Sequence, residues 1–194
     1  MIPMQPNLID IPPVYYPFDS NEPFKECLVC GTDLTLGTRD YFVEKAIKNH
    51  VEFKVKDVVF EYAMCSECAE KMQKSMSEES QQNMQNYFLQ HENFMQKVQE
   101  FQIGEGGPID EVLSKCSITG EAIDDMGEYM MFGHFRGGKM VATTMPYVIG
   151  GKAMDEISEL MSNKTLDEMN GFMGQYFGGP PELENLWKGK PVFL

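Results

Sequence analysis

Two short cysteine pairs, Cys27-Leu-Val-Cys30-Gly31 and Cys65-Ser-Glu-Cys68, carry the clearest chemistry in this chain. A Cys-x-x-Cys turn presents two thiolates on one knuckle. Two such turns close a tetrahedron around a borderline-soft cation such as Zn²⁺. A site with four protein thiolates has no open coordination position, so its chemistry is structural and not catalytic. Two other readings stay open from the residues alone. One is a rubredoxin-like iron site, although there a glycine normally follows both pairs and here the second runs into Ala69-Glu-Lys-Met. The other is a thiol–disulfide exchanger using Cys65 and Cys68.

The remaining candidates are weaker. The histidines are His50, His91 and His134, with His50 and His134 expected near hairpin tips. Gly133-His-Phe-Arg-Gly-Gly-Lys139 reads as a tight polar turn without the helix start a phosphate cradle needs. Asp124-Asp125 and Glu78-Glu79 read as solvated acidic faces. Cys116 reads as a small buried apolar residue. No Ser/His/Asp or Cys/His pattern stands out, so no catalytic residue is assigned.

The elements that must position the cysteines follow from periodicity. Residues 1–24 hold six prolines, which points to an extended leader carrying the aromatic anchors of Val14-Tyr-Tyr-Pro-Phe18. Tyr41–Ile47 and Val51–Tyr62 are rich in β-branched and aromatic residues and read as two strands around Lys48-Asn49-His50. Ala69, Met72 and Met76 then recur at helical spacing. A break at Ser77-Glu-Glu-Ser80 precedes a longer helix with Met84, Tyr87, Phe88, Phe94, Met95, Val98 and Phe101. Residues 104–113 open with Gly-Glu-Gly-Gly-Pro and read as a linker.

The second half repeats this plan. Cys116-Ser-Ile-Thr119-Gly120 lies over the first knuckle, and 143–165 lies without a gap over 58–80. Tyr62/Tyr147, Met76/Met161 and Ser77/Ser162 match at one offset, and Thr165-Leu-Asp-Glu168 is a capping box at the expected helix start. The four metal positions of the second copy become Cys116, Thr119, Gly150 and Ala153, so this copy is expected to be metal-free. Self-similarity on this scale points to two stacked supersecondary units.

Knuckle, β-hairpin, then a cysteine pair on the first turn of a helix resembles the treble-clef zinc finger superfamily over residues 25–77, and more weakly over 114–165. The resemblance implies one structural zinc on Cys27, Cys30, Cys65 and Cys68. The expected architecture is α+β, with two treble-clef-like units, each a knuckle, a hairpin and two helices. The expected divisions are a leader (1–24), a zinc-bound unit (25–103), a linker (104–113) and a metal-free repeat with a C-terminal tail (114–194).

Bulk composition narrows the partners. The net charge is −14 over 194 residues. It divides evenly, with 9 basic against 16 acidic residues in 1–102 and 7 against 14 in 103–194. Such a surface repels nucleic-acid backbones and anionic lipid. No basic n-region with an apolar stretch opens the chain, and no apolar run is long enough for a membrane span. With cysteines suited to a reducing compartment, the expected location is the cytoplasm. Sixteen methionines, many at core spacing, provide irregular packing or an adaptable surface for another protein. The favoured expectation is an intracellular protein-interaction or adaptor protein, acting on a protein partner or a second copy of itself. The alternatives are an enzyme with a cleft between the two units, lined by His134, Arg136 or Asp124/Asp125, and an acidic nucleic-acid mimic that blocks a basic partner.

Overall fold

Runs of β-branched and aromatic residues make Asp40–His50 (β2) an inner strand of the sheet and Val55–Cys65 (β3) its partner at the sheet edge. The computed structural model describes residues 7–102 and 107–178. Within them the protein is a mixed α/β structure with one six-stranded antiparallel sheet and six α-helices. In chain order these are β1 (Asn7–Asp10), β2, β3, α1 (Ser66–Ser75), α2 (Glu78–Gln90), α3 (Glu92–Gln102) and α4 (Ile109–Val112). They are followed by β4 (Glu128–Arg136), β5 (Lys139–Ala142), β6 (Tyr147–Gly150), α5 (Gly151–Glu159) and α6 (Asn163–Phe177). The sheet runs β1-β5-β4-β2-β3, and β6 pairs with β4 beside β5. Pro3, Pro6 and linker residues 103–106 lie outside the described residues.

Both faces of the sheet are covered, and so β2 reads as a nearly continuous buried run. On one face the leader lies across the strands. Tyr15 is 1% exposed, donates to the Phe132 carbonyl at 2.8 Å and meets the Phe135 ring edge-on at 5.2 Å. Lys45 Nζ donates to the carbonyls of Val14 (3.1 Å) and Tyr16 (2.7 Å) and sits 2.8 Å from Glu61 Oε2. Glu61 Oε1 in turn accepts the Phe18 N–H. A buried lysine in mid-strand is thus the clamp for a proline-rich segment whose carbonyls have few other donors. The other face packs on helices, with Tyr62 against Phe172 (5.5 Å) and Phe60 against Phe177 (5.5 Å).

Three local expectations are corrected. The first hairpin turns at 51–54, not at Lys48-Asn49-His50, which belongs to β2. The buried Asn49 amide explains the difference: it donates to the carbonyls of Ile123, Asp124 and Met126 at 3.0–3.2 Å, so a polar side chain is held inside a strand. The helix expected from 80 to 101 is two helices, broken at His91 (φ −96°, ψ 93°). The His91 imidazole Nδ1 lies 2.7 Å from the Tyr87 carbonyl, satisfying a group freed at the helix end. His134 is not at a hairpin tip; it lies within β4, half-buried and stacked on Phe42 at 4.9 Å.

Candidate metal centre

The first knuckle is shaped before any metal is considered. Gly31 N–H donates to the Cys27 carbonyl and Cys27 N–H to the Thr32 carbonyl, both at 2.9 Å. Gly31 has φ +66°, a left-handed turn that a side chain would strain. Leu28 N–H donates to the Ala63 carbonyl at 2.9 Å, fixing the knuckle beside β3. Cys65 ends β3 and caps α1, and Cys68 lies in the first turn of that helix. The helix N-terminus favours negative charge there.

These two anchors bring all four sulfurs together. The Sγ atoms of Cys27, Cys30, Cys65 and Cys68 lie within 4.8 Å of one another. Cys30 Sγ is 3.8 Å from Cys65 Sγ, which matches the sulfur–sulfur edge of about 3.8 Å expected when four Zn–S bonds of about 2.3 Å form a tetrahedron. The Cys65 N–H points at Cys27 Sγ at 3.4 Å. The donor set therefore fits one tetrahedral thiophilic ion and is compatible with zinc.

The four thiols differ in environment. The Thr32 side chain and backbone draw Cys30 down to about 6, with Thr32 Oγ1 3.2 Å from its sulfur. Burial pushes Cys65 and Cys68 up. Cys30 is exposed, whereas Cys27, Cys65 and Cys68 are buried. Sequence reasoning had no signal for this asymmetry or for Thr32. Val29, Cys30, Cys68, Met72 and Phe172 line a groove of about 660 Å³ between α1 and α6.

The second knuckle keeps the backbone but only one of the four sulfurs, that of Cys116. Gly120 N–H donates to the Cys116 carbonyl (2.9 Å), Cys116 N–H to Glu121 O (2.8 Å) and Ser117 N–H to Val148 O (2.7 Å). Gly120 has φ +76°. Cys116 Sγ accepts from the N–H groups of Thr119 (3.4 Å) and Gly150 (3.3 Å). A Cβ on Gly150 would overlap the thioether of Met126. A methionine thioether thus packs against Gly150, the position that aligns with Cys65 of the first half. Among the described residues the clustered cysteines are Cys27, Cys30, Cys65 and Cys68.

The other sequence candidates do not assemble into one site. Asp40 accepts both Arg136 Nε and Nη2, and His134 Nε2 lies 3.4 Å from Asp40 Oδ2. Asp124 instead pairs with Lys56 at 2.8 Å, beyond the opposite end of β4. Six residues of strand separate Glu128 from His134, roughly 20 Å. The segment Gly133–Lys139 is not one polar turn: Gly133–Arg136 ends β4, Gly137-Gly138 turn the chain and Lys139 starts β5. Among the described residues no helix is long and apolar enough to cross a membrane.

The chain matches no protein-family model, no curated protein and no solved structure.

Proposed function

We propose that this protein is a zinc-stabilised protein-interaction module. In this reading Cys27, Cys30, Cys65 and Cys68 hold one structural Zn²⁺, and two tandem treble-clef-like units make up the chain, the second a metal-free relic. The observation that carries it is the cluster of four thiols in tetrahedral reach. When bound, the ion supplies cross-linking between a knuckle and a helix start, and no open position for a substrate. The recurrence of knuckle hydrogen bonds at Cys27 and Cys116 supports the tandem reading, as does the thioether packed against Gly150, which aligns with Cys65.

The interaction role is supported by the groove between α1 and α6, where Val29, Met64, Met72, Phe172 and Tyr176 supply an adaptable apolar lining. An enzyme site between the halves has less support, since His134 and Arg136 are engaged by Asp40 and lie far from Asp124. The acidic balance of the chain favours a neutral or basic protein partner over nucleic acid or membrane, and a cytoplasmic setting suits the free thiols.

A photo-crosslinking amino acid at Met72, compared with one at Phe53 on the exposed hairpin turn, tests the interaction role. The expected result is one defined protein adduct, a partner or a second copy, that forms from position 72 and disappears on metal removal. Equal labelling from both positions, or none from position 72 with the metal in place, contradicts it.

A further inference from the structure

We propose that Cys30 is an oxidative modification site through which hydroperoxides release the metal. The inference rests on the zinc reading above and adds a chemical role for one ligand. Cys27, Cys65 and Cys68 are 2%, 0% and 7% exposed, so Cys30 is the sulfur that a small oxidant in water meets first. Cys30 is exposed and lines the open groove beside α1. A resolving sulfur is already in place, since Cys65 Sγ lies 3.8 Å away. Cys65 is held by β3 and α1, whereas Cys30 sits on a turn, so the turn moves to close the gap.

The chemistry balances with one peroxide. The Cys30 thiolate attacks the peroxide; an S–O bond forms, the O–O bond breaks, and the departing hydroxide takes a proton from solvent. Cys30 is now a sulfenic acid, a poor zinc ligand. Cys65 sulfur then attacks Cys30 sulfur; the S–S bond forms, the S–O bond breaks, and a second water leaves with another solvent proton. Two thiolates have lost two electrons and the peroxide has gained them. The ion keeps two of its four ligands and dissociates.

The test uses the full chain loaded with zinc and treated with one equivalent of hydrogen peroxide. A chromogenic chelator reads zinc release, a sulfenic-acid trap labels the first adduct, and peptide mapping locates the disulfide. The expected result is first labelling at Cys30, then a Cys30–Cys65 linked peptide appearing in step with release of one zinc per chain. Dithiothreitol plus zinc reverses it. Cys30→His retains a zinc ligand that peroxide does not oxidise in this way, and slows release by roughly tenfold or more. First labelling at Cys27, Cys65 or Cys68, or zinc retained with every thiol intact, overturns the inference and leaves the zinc reading standing. Absence of zinc before peroxide is added overturns the zinc reading itself.

Discussion

Ser77 Oγ lies 2.8 Å from Ser162 Oγ. Each serine caps the next helix of its own half: Ser77 accepts the Ser80 N–H (3.1 Å) and Ser162 the Thr165 N–H (3.3 Å). Each also leans on the other half. Ser77 N–H donates to Thr165 Oγ1 at 3.0 Å, and Ser162 N–H donates to Ser80 Oγ at 2.8 Å. Ser80 and Thr165 are fully buried. The two helix starts therefore share one hydroxyl network, and neither cap is complete without the other.

Truncating either capping serine should destabilise the whole protein and not one helix. Ser77→Ala and Ser162→Ala are each expected to cost about 1 kcal/mol. Because they share partners, the double variant should depart from the sum by about 0.5 kcal/mol or more. Urea denaturation of the four proteins in the cycle checks this, and simple additivity contradicts a shared network.

The leader clamp should behave as a buried pair. Lys45 and Glu61 have side chains 6% and 17% exposed. Glu61 Oε2 faces Lys45 Nζ at 2.8 Å without hydrogen-bond alignment, so the attraction is that of an ion pair. Lys45→Met leaves a partly buried carboxylate and two carbonyls without their cation, at a cost of about 2–3 kcal/mol. Adding Glu61→Leu should recover part of that loss. Limited proteolysis between Tyr16 and Phe18 should accelerate in the single variant first.

Acid should weaken the β2–β4 contact in two windows. Burial holds His134 below the usual histidine range, against the opposing pull of Asp40. A histidine depressed in the fold gives full stability above its unfolded value near 6.5, and loses it as pH falls from there toward its folded value. The Arg136 guanidinium holds Asp40 below the usual carboxylate range, so its contribution persists down to about pH 4 and is lost below that. His134→Gln should flatten the slope between about pH 5 and 7, and Arg136→Gln the slope below about pH 4. Proton NMR of the imidazole should give a midpoint under 6.5.

Met126 should be what keeps a side chain out of the second knuckle. Gly150→Cys is expected to cost about 1–3 kcal/mol through overpacking against the thioether. Pairing it with Met126→Gly should relieve most of that strain. Thermal melts of the two variants decide it; an equally damaging double variant points to another cause.

Much of this was legible in the chain and some was not. Cysteine spacing announced the cysteine cluster because a knuckle and a helix turn are short-range structures with short-range signatures. The start of α2 was visible because Ser77 caps locally; at α6 the cap is Ser162, three residues before the expected box at Thr165. What failed was set by distant partners. Asn49 looks like a turn residue until the carbonyls of residues 123–126 close on its amide. Lys45 looks like a solvated strand residue until the leader folds over it. The helix break at His91 and the packing of Met126 against Gly150 likewise depend on contacts that periodicity does not encode. The tail expected at the end of the second unit falls on residues 179–194, which lie outside the described residues.

The most direct measurement is elemental mass spectrometry of natively purified, untagged protein, with circular dichroism before and after chelation. The account predicts one zinc per chain, and loss of structure in the first half when the ion is removed or when Cys65 becomes Ser. Structural zinc is worth on the order of 10–16 kcal/mol of binding free energy in small fingers, so the effect should be large. Iron in place of zinc, or a metal-free chain that folds equally well with Cys65 and Cys68 oxidised, would contradict it.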